Sequence, residues 1–579
     1  MRLVWQADRL RASVLFVLYS LQAILGISAA YLSKLVIDAL FYPSTVVLSP
    51  MIPAVAFVVV SLALDTLPVF IGSQQNLFTA TLRAYIDTRL MEKANEIPDL
   101  GPFEDIGFHT KVRAFRADEY LATMWLGVLS GTLIGLLRVG MSLAFMIRLA
   151  SGIPILILSF GIARMVSEER VSSVTFEGRE EIVALRRRAE YFASLPLAPE
   201  HAHEVKAYRL IPFFKRRYTM VARELLQLIS RDQRRLLIHQ TVWAVLEVLS
   251  FGAGLYYVAL HSTATAGDIT LFIAMYWQFA EGLRDLSAPV TIGAREGAQV
   301  RKMLAFLEAN PTMEVPKTGK IPTLSGRTRP GFHVKDLVFS YDGQTPVLEI
   351  PDLEIPKRQT VAPVRENGAG TSTLIKLLFR LYDPDRGMIY LDGLPLSEYD
   401  VVAYRSIASG VFQDFVRYQL TLRQNIGLGR VQDLENSEVI HRAACLAGAD
   451  RLAEQDVQGY DQQLGKLFGG RELSGGEWQR IALARAFMRH NHAELYIFDE
   501  PTSALDAHIE YEILSRMIGV TSGKTVILVS HRLSTVRRAS KIIVLDKGRV
   551  VEEGDHNSLM RRGGRYAELY EVQASRYRV

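Results

Sequence analysis

The sequence predicts two domains of different class: an all-α membrane domain of six spans, followed by an α/β domain built on a largely parallel sheet. Three observations predict this. The chain of 579 residues is 49% hydrophobic, and its mean hydropathy is +0.13, high for a water-soluble chain of this size. Long apolar stretches alternate with highly charged ones through residues 1–309, as membrane spans and their connections do. From Phe332 onward, short β-branched runs (TVAPV, GMIYL, ELYIFD, KTVILVS, KIIVLD) alternate with helical patterns, the reading of a parallel sheet with crossover helices.

The formal net charge of +5 suits a membrane protein with a basic inner face and is not the signature of a nucleic-acid binder. Cys445 is the only cysteine, which excludes an internal disulfide and a thiolate metal site. The 12 histidines are scattered without metal-ligand spacing. No cleavable signal peptide is expected, because 13–40 is too long for one and further spans follow.

Taken in order, Arg2, Arg9 and Arg11 against Asp8 make a basic flank that places the start on the inner side. Spans are expected at 13–40 and 52–75, joined by the uncharged loop 41–51 on the outer side. The charged stretch 83–120 belongs inside. Residues 121–168 hold two spans that turn near Arg148–Gly152, and the charged, helix-patterned 169–235 returns inside. Spans five and six fall at 236–260 and 268–292, with only HSTATAG between them. Residues 310–331, rich in Pro, Gly and Thr, read as a linker, and 332–579 as the second domain.

The second domain is organised around VAPVRENGAGTSTL, Val361 to Leu374. It matches the phosphate-loop pattern G-x-x-x-x-G-K-[ST] between a strand (Thr360 to Val364) and an amphipathic helix (Ser372 to Leu381), with two departures. Arg365 stands where the first Gly is wanted and Thr371 where the Lys is wanted. Asn367, Gly368, Ala369 and Gly370 make the turn whose backbone N–H groups cradle phosphate oxygens. Ser372 and Thr373 open the helix, whose dipole favours the anion, and the Ser372 hydroxyl is a magnesium ligand. The missing Lys removes a charge from the β- and γ-phosphates. A hydrogen bond to a charged group contributes about 1.5–3 kcal/mol, so Thr371 costs roughly ten- to a hundredfold in affinity or turnover.

Four further features follow in order. Gln413, in GVFQD, sits after a strand and can reach metal and water. LSGGEWQRIALARAF places Ser474, Gly475, Gly476 and Glu477 at the head of a helix, an anion site. LYIFDEPTSALD ends a hydrophobic strand in Asp499, placed to hold magnesium, and Glu500, placed to polarise an attacking water. His531 follows the strand VILVS and can contact a γ-phosphate. Each has an ordinary structural explanation alone. Their joint order does not.

On these motifs, 332–579 resembles the nucleotide-binding domain of ATP-binding cassette (ABC) transporters, and the six spans before it resemble those of an exporter-type half-transporter. The resemblance implies ATP and Mg2+ as ligands, Tyr341 in FSYDG as the aromatic that stacks on adenine, and 365–373 as Walker A. It implies Gln413 as the Q-loop, Leu473–Glu477 as the signature, Tyr496–Asp499 as Walker B and Glu500 as the catalytic carboxylate. It further implies Ser503–Asp506 as the D-loop, His531 as the switch histidine, and coupling helices near 99–112 and 196–214. Family domains work as head-to-tail pairs, each ATP lying between one chain's Walker A and the other's signature. A damaged Walker A beside a sound signature favours a heterodimer with a second half-transporter, one site competent and one degenerate; a homodimer with two slow sites is the alternative. An ATP-responsive membrane regulator or channel-like protein is the rival reading, which the lost Lys keeps open. The expected location is the cell membrane, multi-pass, with both termini inside.

Ionisable residues inside the spans mark a possible substrate pathway: Arg138, Glu247, Glu281, Arg284 and Asp285. They could equally pair with one another. They suit an amphipathic peptide, natural product, lipid or drug-like molecule and do not choose among them. The six spans oppose a soluble ABC protein acting on nucleic acid.

Overall fold

The computed structural model describes residues 2–42, 49–104, 119–150, 152–177, 179–198, 201–260, 264–307, 331–365, 370–503, 507–530 and 532–575, with isolated residues of the 308–330 stretch. The chain divides into two compact units: Met1–Asn95 with Ile106–Ala309, and Glu96–Asp105 with Asn310–Val579.

Six long helices form the first unit among the described residues: α1 (Arg9–Phe41), α2 (Met51–Glu96), α3 (Glu119–Ala150), α4 (Ile153–Glu177), α5 (Ile211–Leu260) and α6 (Ala266–Leu307). Among the described residues, four stretches are long and apolar enough to cross a membrane by length and composition: α1, α2, Ser130–Leu149 of α3, and α5. The apolar part of α4, Ile153–Ser167, is shorter. The helix α6 carries Asp268, Glu281, Arg284 and Asp285 along its length. α6 packs chiefly on α3 and α1, and α5 packs on α4. Glycines allow the α3–α6 approach: a Cβ on Gly135 would meet Gly282 O at 2.8 Å, the small-residue contact that membrane helices use. Ile27, Met146, Ile157, Phe272, Met275 and Phe279 form the core of this unit.

The second unit contains two sheets. The strands β1 (Phe332–Phe339), β2 (Leu348–Ile355), β4 (Arg386–Leu391) and β5 (Leu394–Pro395) form a four-stranded antiparallel sheet in the order β2–β1–β4–β5. The strands β3 (Thr360–Arg365), β6 (Ala408–Val411), β7 (Leu495–Asp499), β8 (Thr525–Val529), β9 (Lys541–Asp546) and β10 (Arg549–Gly554) form the other. Their order is β10–β9–β3–β8–β7–β6. All its pairs are parallel except β9–β10. β7 and β8 are buried at every residue, as strands covered on both faces must be.

Candidate functional site

The phosphate-loop strand β3 lies at the centre of the parallel sheet, between β9 and β8. Its ladder with β9 runs from Val361 to Arg365, whereas its ladder with β8 stops at Val361. Pro363 stands two residues further on and has no N–H to give to a ladder. After the turn, Gly370 caps the helix α7 (Thr371–Leu378) at φ 89°. A Cβ there would meet Leu348 Cδ2 at 2.6 Å, so position 370 requires glycine on both conformational and steric grounds. α7 ends at Leu378 rather than at Leu381. The buried Arg380 takes φ 52°, and its guanidinium donates to Tyr399 O at 2.9 Å, which turns the chain out of the helix.

Two of the predicted site residues meet here. Ser372 Oγ donates to Asp499 Oδ2 at 3.1 Å, joining the head of α7 to the end of β7. Asp499 is 3% exposed. Thr371 is fully buried at 0% exposure, and its hydroxyl finds no hydrogen-bond partner among the described residues. A buried hydroxyl left unpaired costs about 1–3 kcal/mol, so threonine gives this position neither the charge of a lysine nor a satisfied bond. Asn367, Gly368, Ala369 and His531 lie outside the described residues, as do 504–506 of the D-loop.

Tyr341 follows β1 and is 47% exposed. Its hydroxyl lies 3.1 Å from Thr373 Oγ1, which ties this aromatic to the first turn of α7. Tyr382 packs edge-on against its ring at 5.6 Å, and the Lys376 ammonium lies 5.2 Å from the ring centre. Lys376 also pairs with Glu104 at 2.9 Å. Glu104 ends a four-residue helix, Gly101–Glu104, inside the first segment expected to couple the two domains. The same segment bonds through Leu100 N to Leu381 O at 3.0 Å, and Pro98, just before it, accepts from Arg405 at 2.7 Å through its carbonyl. Burial works against ionising Glu104, but the bond from Lys376, with the nearby Tyr382 hydroxyl, outweighs it and lowers its pKa. In Lys376 burial is likewise outweighed, chiefly by Glu104, and the pKa is raised. The second expected coupling segment contains the short helix Ala202–Ala207.

The signature residues head α8 (Gly475–Phe487). Ser474 is its N-cap and closes a reciprocal capping box with Glu477. Glu477 Oε2 accepts from Ser474 N at 2.7 Å and from Ser474 Oγ at 2.8 Å, while Arg471 pairs with its other oxygen at 3.1 Å. Burial opposes the charge, but these bonds win and lower the pKa of Glu477. Gly475 and Gly476 form the first turn.

Glu500 sits one residue beyond β7 in the left-handed region, at φ 51°, a conformation that costs a non-glycine residue about 1–3 kcal/mol. Several bonds hold it there. Its N–H donates to Val529 O at 3.0 Å. Its carbonyl accepts from Ser503 N at 3.3 Å and from Gln479 Nε2 at 2.9 Å. Gln479 lies on the buried face of α8, 2% exposed, and also reaches Ser503 Oγ at 3.3 Å. Sequence reasoning misses this residue. The available signal is a glutamine directly after the buried Trp478 in an otherwise apolar helix face. Gln413 is exposed, two residues past the end of β6. Arg532, next to His531, pairs with the buried Glu510, whose Oε1 accepts from Thr502 at 3.1 Å.

In the first unit, the ionisable span residues are largely paired. Arg138 of α3 bonds Glu281 at 2.9 Å and Asp285 at 3.2 Å, both on α6. Glu247 of α5 bonds Arg164 of α4 at 2.7 Å, a partner that sequence reasoning does not name. Arg284 makes no ion pair among the described residues.

A family model described as ABC transporter matches residues 348–503, the interval that runs from β2 through Glu500. Over 327 residues the chain is 33% identical to an ATP-dependent lipid A-core flippase of Alcanivorax borkumensis, covering 56% of this chain and 55% of that protein. Over 395 residues it is 30% identical to the subtilin transport ATP-binding protein SpaT of Bacillus subtilis, covering 67% and 63%. The chain thus spans about half to three fifths of the length of these curated relatives. A solved bacterial Atm1-family ABC exporter with ATP bound superposes with a TM-score of 0.79 at 26% identity, covering 98% of both chains. The chain therefore has the fold of an Atm1-family ABC exporter, a helical membrane domain with an α/β nucleotide-binding domain, and the latter carries the stretch that matches the ABC transporter model.

Proposed function

We propose that this chain is one subunit of an ATP-driven exporter, paired with a second half-transporter so that one ATP site is competent and the other, on its own Walker A, is weak. We further propose a membrane domain through residue 309, a linker at 310–331 and an ATP-binding domain from 332 to 579. The observation that carries the asymmetry is Thr371: buried, without a hydrogen-bond partner among the described residues, and at the position where the loop wants a cation. Several of the described residues near it match the pattern. Tyr341 offers an exposed ring held by Thr373, Gly370 opens α7, and Ser372 and Asp499 are joined.

The residues also fit a magnesium ion. A hydroxyl and a carboxylate in direct contact are hard oxygen donors of the kind Mg2+ takes. When bound with nucleotide, the ion neutralises charge that develops on the phosphates. Ser372 and Asp499 would hold it. Glu500 would orient and polarise the attacking water, and His531 would contact the γ-phosphate. Ser474 to Glu477 would face the partner's nucleotide, the capping box keeping the first turn of α8 in one conformation. Relatives named for lipid A-core and subtilin support an amphipathic cargo, a lipid or a peptide. The unpaired Thr371 also favours the second reading, an ATP-responsive membrane regulator that hydrolyses little. ATPase activity of the purified chain, alone and with candidate partner half-transporters, tests the proposal. Low activity alone that rises with a partner supports it. No rise with any partner, together with ATP-dependent protection from proteolysis, would support the regulator.

A further inference from the structure

The helix α2 carries a face that the described residues of its own chain do not cover. Only 6% of its apolar stretch is buried, against 22% in α1 and 17% in α5 and in Ser130–Leu149 of α3. Met51, Val55, Val58, Leu62 and Val69 are 54–75% exposed. With Asp65 they recur at alternating intervals of four and three, the roughly 3.5-residue spacing that keeps one stripe of a helix against a partner helix. Gly72 continues the stripe, and a Cβ there would meet nothing within 4 Å. A helix that merely faced lipid would need only apolar residues there. Asp65 breaks that rule. It lies near the middle of the expected span 52–75, is exposed, and has no hydrogen-bond or ion-pair partner among the described residues. Pro68 lies inside the helix and has no N–H to give Leu64 O, so a second acceptor at the same depth lacks its helical donor. Hydrocarbon offers no donor to either group, and a carboxylate at this depth is costly unless something pairs with it.

We propose that this stripe docks a transmembrane helix of the second half-transporter, and that this helix brings an arginine or lysine against Asp65. The apolar positions supply the seam and Asp65 its register, as a single polar residue does in a packed helix pair. An arginine has N–H groups enough to serve both Asp65 and Leu64 O. Charge complementarity chooses the occupant. Lipid tails cannot neutralise Asp65. A twofold pairing of the stripe with itself sets Asp65 against Asp65, a like-charge contact that disfavours a second copy of this chain. The inference rests on the reading that the chain pairs with a different half-transporter, and it names the residue through which the chain tells that partner from itself.

A synthetic transmembrane helix serves as the probe. Its seam is leucine, with arginine, glutamine or glutamate at the central position and a cysteine one turn away. The full chain, carrying Cys445→Ser and Val69→Cys, is placed in phosphatidylcholine vesicles with each peptide, and disulfide cross-linking is followed against peptide concentration. The arginine peptide should half-saturate at about tenfold lower concentration than the glutamine peptide, as one charge-assisted contact implies, and the glutamate peptide should be weakest. Asp65→Asn should abolish the arginine preference. Asp65→Arg should turn it toward glutamate, a gain that a misfolded variant cannot imitate. Leu67→Cys in place of Val69→Cys, on the face that packs in the unit's own core, should cross-link to none of them. Equal cross-linking of the Val69→Cys chain to the arginine and glutamine peptides, or an Asp65→Asn variant that keeps the preference, overturns the proposal. So does a chain-to-chain cross-link through Val69→Cys that the arginine peptide cannot displace, which would make a second copy the occupant. The assay uses no ATP, so an arginine preference supports the docking face even where no half-transporter raises ATP turnover, and the pairing reading then fails on its own.

Discussion

Thr371 is one residue on which the reading of a weak site turns, and the sequence alone reveals it. A phosphate loop is contiguous, so the absence of its lysine shows in eight letters. The state of the substitute is not legible there, because burial and hydrogen bonding depend on neighbours distant in the chain. Threonine here is enclosed, and its hydroxyl has no partner among the described residues. Since Ser372 and Asp499 are already joined, returning the charge should restore much of the site. Thr371→Lys, with Arg365→Gly to free the turn, should raise ATP affinity about ten- to a hundredfold. Nucleotide titration of the assembled complex, with the partner's Walker A lysine removed, measures this. An unchanged affinity would move the fault to Pro363, two residues beyond the point where the β3–β8 ladder stops.

At the scale of elements, the sequence resolves strands and helices well and their junctions poorly. β7 and β8 stand where the runs LYIFD and VILV put them. The contact from α8 to the turn after β7 joins residues 21 apart, and no local pattern announces it. Gln479→Leu keeps the volume and deletes the donor to Glu500 O. Hydrogen exchange in the peptide 499–503 should then quicken about tenfold, one lost bond's worth of local stability. Unchanged protection would show that Val529 and Ser503 suffice to hold the strained turn. The Glu104–Lys376 pair joins residues 272 apart and is equally invisible in sequence. Glu104 has a lowered pKa, so its contribution is present above its ordinary value of 4.5 and is lost as pH falls through the folded value. Lys376 has a raised pKa, so its share is complete below 10.5 and is lost as pH rises through its folded value. Protection of the Leu100 amide, corrected for intrinsic exchange, should therefore hold steady between those limits and fall on either side. Both side chains are partly exposed, and such pairs contribute about 0–1 kcal/mol, so the change should be no more than about fivefold. A Glu104→Lys, Lys376→Glu double exchange should keep the protection that Lys376→Glu alone loses.

At the scale of the whole molecule, the fold class is legible because each half has its own periodicity. Apolar stretches long enough to span a membrane fill the first part, and β-branched runs recur in the second. The membrane charges are harder. Arg138, Glu281 and Asp285 read as a possible pathway, yet in the structure they satisfy one another, and Arg164, the partner of Glu247, sits in a stretch that looks merely apolar. The central claim is that the signature of this chain serves a working site while its own Walker A serves a weak one. The most direct test compares two variants in the assembled complex. On the proposed arrangement, Ser474→Arg fills the capped turn toward the partner's nucleotide, and Glu500→Gln removes the carboxylate of the site proposed to be weak. ATP turnover should be abolished by Ser474→Arg and reduced much less by Glu500→Gln; equal losses from the two changes would contradict the asymmetric account.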